Sequence, residues 1–298
     1  MSREVWVRNR RTGRMERETQ FSAGLFHFLF DTKLGLLLSK SFFVKPWFSK
    51  LYGEYQDSSR TAANIEQFVQ EHGIRTEEYE DGPFSSFNRF FYRRFRPGQR
   101  PFPKTENVMG APAEGRVLAY QNLSECPLLA IKGSRLTLED LVQDSDLITP
   151  QMREGPVLIF RLSPLDYHRF HAPDDLKVLT KQDVPGDLFT VHPLGWKNRP
   201  DVFFQNQREW LRAETARFGP VLYGAIGGFV VGRIRWGAAE SFGRGEEMGW
   251  FEMGGSTIVL VGEAGAFEID ADLLKNTSEG VETLVRLGEP VALAAKSR

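Results

Sequence analysis

The chain has almost no sulfur in disulfide-forming form, no long apolar run and almost no net charge. Each shortage excludes something. Of its 298 residues one is cysteine, Cys126. No intramolecular disulfide can form, which fits a reducing compartment. A zinc site would need histidine and carboxylates alone, and none is expected. Formal net charge is -1, so the chain is not a globally basic nucleic-acid binder. No stretch of about 18 apolar residues runs free of charge, so a spanning helix is not expected. No glycine-rich phosphate fingerprint opens a helix, and no internal repeat or low-complexity tract is present. Strand and helix signals never alternate as βαβ units, which argues against a parallel doubly wound sheet.

The remaining composition is that of a folded protein, 41% hydrophobic and 26% charged. The length suits one large domain or two small ones. Charge is uneven: residues 1–20 hold six Arg against three Glu, and residues 261–298 hold seven acids against four bases. Residues 1–20 lack the apolar stretch of a secretory signal. Residues 21–51 are the most apolar and aromatic part, from Phe21, Leu25 and Phe26 to Trp47 and Phe48. Asp31, Lys33, Lys40 and Lys45 interrupt them. Short apolar helices edged by Lys and Trp suit the plane of a membrane interface. An ordinary helix packed on the protein's own core fits the same residues.

Residues 61–72 read as a helix with Ser59 as cap, Ala62, Ile65 and Val69 on one face, and Gly73 ending it. Phe84, Phe87, Phe91 and Phe95 recur at helical spacing. The polar side of that second helix, with the segment just after it, carries Arg89, Arg93, Arg94, Arg96, Arg100 and Lys104. These cations are read as solvated or as facing anionic lipid headgroups. Pro97 to Pro103 marks a boundary, giving a helical, membrane-associating region over 1–103 and a β-rich domain over 104–298. Short Val-, Ile-, Leu- and Phe-rich runs at 116–120, 157–162, 177–179, 221–226, 229–234 and 257–261 predict strands. Residues 138–142 read as a helical turn, and 271–287 as a short helix or loop. The fold class expected is α+β, mainly β.

Two stretches carry chemistry. Gly254-Gly255-Ser256-Thr257 follows Glu246-Glu247-Met248-Gly249-Trp250-Phe251 and precedes an apolar run. A serine hydroxyl after glycine can be driven onto the preceding carbonyl, given strain and a base. A glycine bulge in a hairpin is the ordinary alternative. Far upstream lies Asp166-Tyr167-His168-Arg169-Phe170-His171-Ala172-Pro173. Histidine is the usual base for serine, and a carboxylate usually orients it. Histidines three apart on a strand point to opposite faces, which weakens them as a metal pair. His27, His72 and His192 get structural readings.

The Gly-Gly-Ser-Thr stretch with its approach resembles the self-cleavage site of phosphatidylserine decarboxylase proenzymes. The paired-histidine stretch is similar to that family's. So are Ile131-Lys132-Gly133 with Leu138-Glu139-Asp140-Leu141, and Ser86-Phe87-Asn88-Arg89-Phe90-Phe91 with Arg96-Pro97-Gly98-Gln99-Arg100-Pro101. The four run in the family's order from about residue 60 onward. The resemblance implies attack of Ser256 on the Gly255 carbonyl, with His171 as base and Glu114 as its orienting acid. Glu114 stands where the family has Asp in an Asp-Gly turn. It implies elimination of the resulting ester and hydrolysis to a pyruvoyl cofactor on residue 256. The two chains, 1–255 and 256–298, stay associated.

The resemblance further implies decarboxylation of phosphatidylserine to phosphatidylethanolamine, with the pyruvoyl carbonyl as electron sink and His168 as proton donor. It assigns Asn206 and Arg208 to orienting the site or the substrate carboxylate. It implies a phospholipid substrate, an anionic membrane surface as partner, peripheral attachment at the cytoplasmic face, and room for a homodimer, with no nucleic acid. Two alternatives remain open here. One is a decarboxylase of another amino-headgroup lipid or amino acid. The other is a non-catalytic lipid-binding relative, uncut because Glu114 replaces Asp.

Overall fold

The computed structural model describes residues 4–18, 44–80, 82–126, 130–131, 134–135, 137–189, 202–228, 233–253 and 256–295. The apolar segment over 21–43, with His27, and also Lys132, Gly133, His192, Gly254 and Gly255, lie outside them.

Strands β1 (Trp6–Asn9) and β2 (Met15–Arg17) open the chain. Helices α1 (Pro46–Gln56), α2 (Ile65–His72) and α3 (Phe87–Phe91) follow. Next come β3 (Val108–Gly110), β4 (Gly115–Tyr120), β5 (Ala130–Ile131), β6 (Ser134–Arg135) and α4 (Leu138–Val142). Then come β7 (Val157–Leu162), β8 (Arg169–His171), β9 (Leu176–Val184) and α5 (Val202–Gln205). They lead to β10 (Arg208–Thr215), β11 (Pro220–Gly227), β12 (Ile234–Trp236), β13 (Ser241–Phe242) and β14 (Glu247–Phe251). Last are β15 (Ser256–Gly262), β16 (Phe267–Ile269), α6 (Ala271–Ser278), β17 (Glu282–Val285) and β18 (Pro290–Ala294). The class is α+β, mainly β.

One sheet has ten strands in the order β13-β9-β10-β11-β15-β7-β4-β17-β1-β2. Only β1 and β17 run parallel within it. Its fifth strand, β15, is buried from Ser256 to Gly262. Ile258 and Leu260 face a core shared with Phe170, Tyr223 and Phe251. Val259 and Val261 face a second core with Leu141, Trp210 and Leu222. A strand covered on both faces reads as a continuous apolar run, not as an alternation.

A smaller sheet, β12-β14-β8, lies over the first core. It brings the two chemical stretches together. Gly249 and Trp250 on β14 pair with Phe170 and Arg169 on β8, and Phe251 N–H donates to His168 O at 2.8 Å. Gly249 is required there, because a Cβ would fall 2.1 Å from Arg235 O and 2.5 Å from the Phe170 ring.

The N-terminal region differs from its expected form in three ways. Residues 6–9 and 15–17 are strands of the main sheet, since β1 finds an open partner in β17. The helix expected over 61–72 starts as a 3-10 turn over Ser59–Asn64, with Ser58 as its cap, before α2; Gly73 ends α2 at φ 61. The phenylalanine helix is only five residues long. Ser86 Oγ caps it by accepting from Arg89 N–H at 3.2 Å, Tyr92 leaves the helix, and Phe95 stacks on Tyr79 and Tyr167 instead. Its phenylalanines do pack inward. Of the cations beside them, Arg93 and Arg100 also turn inward, against the expectation of solvated charge.

Candidate active site

Ser256 opens β15 between Gly227 of β11 and Leu162 of β7, and is fully buried. His168 Nδ1 lies 3.0 Å from its Oγ, and His168 Nε2 lies 2.9 Å from Ser163 O. These contacts determine the protonation pattern. A carbonyl only accepts, so Nε2 carries the proton and donates to Ser163 O. The neutral ring then leaves Nδ1 bare to accept from the Ser256 hydroxyl. Burial pushes the His168 pKa down to about 3, helped by the charges of Arg93 and Arg116 and opposed by the Ser163 bond. The imidazole is thus neutral at physiological pH and can act as a base. Among the described residues no carboxylate bonds to either of its nitrogens.

Helix α3 supports this pair from the side. The Phe91 ring stacks on His168, with centroids 3.9 Å apart and planes 24° apart. Asn88, also buried, accepts from Met253 N–H at 3.0 Å and donates to Asp57 Oδ1 at 2.7 Å. It therefore holds the residue just before Gly254-Gly255. Arg93 donates to Leu165 O at 3.1 Å and to the Phe90 carbonyl at 3.3 Å, joining the end of α3 to the turn ahead of His168. Asn88 and Phe91 sit in a stretch picked out by its motif and Arg93 just after it, yet the sequence assigns none of them a place at the site. An Asn, Arg and Phe inside a run of buried aromatics was the available signal.

The other expected residues are placed differently. His171 ends β8, and its ring nitrogens are engaged elsewhere than at Ser256. Its Nδ1 faces Gly245 O at 2.9 Å and its Nε2 the Tyr167 hydroxyl at 3.1 Å. Burial lowers its pKa. Glu114 does not hydrogen-bond to it. Both Glu114 oxygens accept from Arg100, at 2.7 and 3.2 Å, and Leu287 N–H donates to Oε2 at 3.3 Å. Arg100 also bonds Glu78 at 2.6 Å and lies over the Phe95 ring. Glu114 is thus held here in a buried Arg clamp.

Asn206 and Arg208 also serve the backbone. Asn206 donates to Phe189 O and Gly227 O and accepts from Phe189 N–H, all at 2.8 Å. Since Gly227 is the register partner of Ser256, Asn206 holds the strand beside it. Arg208 donates to Leu141 O at 2.6 Å, Phe204 O at 2.7 Å and Asn206 O at 2.9 Å. Burial lowers its pKa to about 10.

The family model for phosphatidylserine decarboxylase matches residues 87–293. The chain is 36% identical over 266 residues to a phosphatidylserine decarboxylase proenzyme of Chlamydia caviae, covering 88% of this chain and 89% of that one. It is 35% identical over 286 residues to a proenzyme of the same name from Fusobacterium nucleatum, covering 94% of each. A third, from Clostridium novyi, is 34% identical over 267 residues, covering 88% of this chain and 90% of the relative. The motifs, the serine–histidine contact and these matches extend over the same part of the chain, which belongs to the phosphatidylserine decarboxylase family.

Proposed function

We propose that the chain is a proenzyme that cuts itself between Gly255 and Ser256 and then decarboxylates phosphatidylserine to phosphatidylethanolamine. The observation that carries this reading is the 3.0 Å contact of His168 Nδ1 with Ser256 Oγ. His168 takes the hydroxyl proton as Oγ adds to the Gly255 carbonyl, exchanging the peptide bond for an ester. Loss of the α-proton of residue 256 eliminates the ester, frees the Gly255 carboxylate and leaves a dehydroalanine. Water hydrolyses that group, ammonia leaves, and a pyruvoyl group caps the new chain. The surroundings fit such a group: residue 256 is buried, a neutral histidine lies in reach, and Asn88 fixes the approach. Once formed, such a group would supply a ketone for a substrate amine and an electron sink for the loss of carbon dioxide. His168 then holds the proton that the substrate carbon needs at that position.

A second reading keeps His171 as the processing base with Glu114 as its acid, leaving His168 to the decarboxylation. The bond from His171 N–H to Pro112 O at 2.8 Å favours it, because it sets His171 beside the turn that carries Glu114. It requires His171 to leave Gly245 and Tyr167, and Glu114 to leave Arg100. Intact mass spectrometry tests both. Wild type should give chains 1–255 and 256–298, the latter trapped by a hydrazine, and Ser256→Ala one full-length chain. On the first reading His168→Ala stays whole and His171→Ala is cut; the reverse result selects the second. Uncut wild type would refute both.

A peripheral membrane position is part of the proposal. Among the described residues no helix is long and apolar enough to cross a bilayer. Trp47, Leu51 and Tyr55 lie four apart on α1 and are exposed, with exposed Lys50 among them. Such a stripe suits the headgroup boundary.

A further inference from the structure

The basic first twenty residues and the acidic C-terminal segment have no part in the proposed chemistry, yet the fold brings them together. Strand β1 pairs in parallel with β17, Val7 beside Glu282 and Asn9 beside Leu284, and β2 closes the sheet outside it. The turn between β1 and β2 is fixed from within. Asn9 N–H donates to Arg14 O at 2.9 Å, and Gly13 N–H donates to Asn9 O at 2.8 Å. The side-chain oxygen of Asn9 accepts from Arg11 N–H at 3.1 Å.

That turn carries Arg10 onto the C-terminal segment. Arg10 Nε donates to Asp272 Oδ2, and Nη2 donates to Asp272 Oδ1 and to Asp270 Oδ2, all at 2.7 Å. Nη1 donates to Pro290 O, and the Arg10 backbone N–H donates to Leu284 O at 3.3 Å. Every one of these partners lies beyond residue 255. Asp270 and Asp272 stand at the start of α6, and Arg8 lies 3.9 Å from Glu279 at its other end. Arg11 lies 3.9 Å from Glu289. Among the described residues, the ion pairs that join the two sides of residue 255 come from Arg8, Arg10 and Arg11, with Arg161–Glu282 as the one exception. Glu18, at the end of β2, is tied to that exception, because it accepts from Arg161 at 3.1 and 2.9 Å.

In the whole chain these bonds join two parts of one molecule. Once the backbone between Gly255 and Ser256 is opened, they join two molecules. Strand β15 is gripped on both sides, by β11 and β7, but β17 would be an edge strand without β1.

We propose that residues 4–18 form a strap that retains the 256–298 chain after the cut, with Arg10 on Asp270 and Asp272 as its main fastening. The proposal rests on the reading of Gly255–Ser256 as the cleavage site.

The test follows the two chains of the self-cleaved, full-length protein. An affinity tag after residue 298 captures the small chain, and release of the large chain is timed in moderate urea. Arg10→Glu should release it about tenfold faster or more, since charge-assisted hydrogen bonds are lost and like charges face each other. Adding Asp270→Lys and Asp272→Lys to Arg10→Glu restores opposite charges, and should recover most of the retention. The Arg10 side chain is 17% exposed, so salt reaches the pair. About 1 M NaCl should therefore speed release from wild type more than from Arg10→Ala. The proposal is overturned if Arg10→Glu holds the large chain as long as wild type does, or if the charge-reversed variant releases it as fast as Arg10→Glu alone. Should Arg10→Glu not fold, Arg10→Ala carries the same measurement, and collapse of both would overturn the proposal in favour of a role in folding. In the uncut Ser256→Ala chain, Arg10→Glu should raise hydrogen exchange at the β17 amides, and unchanged exchange would also overturn it. If wild type is never cut, the self-processing reading fails, while this exchange still decides whether the strap holds β17.

Discussion

Asn88→Ala probes the link between helix α3 and the cleavage loop. The side chain is 1% exposed and makes two hydrogen bonds, accepting from Met253 N–H at 3.0 Å and donating to Asp57 Oδ1 at 2.7 Å. Its two ends differ in cost. The Asp57 carboxylate is 42% exposed and still pairs with Arg233, so water replaces the lost donor. Met253 is buried, and its N–H would be left without an acceptor. An unsatisfied buried donor costs about 1–3 kcal/mol. If that cost is felt where Gly255 must meet Ser256, it converts to a slowing of roughly 5- to 150-fold at 1.4 kcal/mol per tenfold. The assay is the time course of the cut on a denaturing gel, with thermal unfolding of the Ser256→Ala background measured in parallel. Asn88→Asp gives the internal control. Its carboxylate still accepts from Met253, but it faces Asp57 as a like charge. It should therefore process faster than Asn88→Ala although its unfolding temperature also falls. Processing of Asn88→Ala within twofold of wild type would refute the idea that this bond aligns the loop.

Three further outcomes are expected. His168 has a folded pKa of about 3 against about 6.5 unfolded, so between those values the unfolded chain binds the extra proton and stability falls as pH falls. In the Ser256→Ala background, urea unfolding from pH 6.5 to 4 should lose about 1.4 kcal/mol per pH unit through this group, and His168→Gln should lack that share. Arg100→Ala leaves Glu114 without its buried cation, while Glu78 keeps Arg75 at 2.7 Å, and should cost about 3 kcal/mol, the low end for breaking a buried pair, by the same denaturation. Arg100→Lys should recover only part, because a point charge cannot replace a fork. Replacing Trp47, Leu51 and Tyr55 together by serine should weaken co-sedimentation with anionic vesicles while self-cleavage in detergent is kept. Undiminished sedimentation would remove α1 as the contact. Deleting residues 1–50 is not an equivalent test, since it removes β1, β2 and the buried Glu18.

The amino-acid order alone picked out Ser256, the histidine stretch, the turn with Glu114, and the central strands of the main sheet. Runs at 157–162, 221–226 and 257–261 became β7, β11 and β15 with small changes at their ends. Local properties suffice there: β-branched and aromatic residues, punctuated by Gly and Pro, favour extended chain wherever they stand. Tertiary structure decided which histidine meets Ser256. That choice depends on the turn over 163–166, whose Ser163 carbonyl takes the His168 Nε2 proton at 2.9 Å, and residue spacing does not reveal it. It also decided that Arg93 and Arg100 face inward and that residues 6–9 and 15–17 complete the main sheet. A guanidinium reads as surface charge until a carbonyl or carboxylate from a distant segment closes over it, and such partners are supplied by strand pairing between residues more than a hundred positions apart.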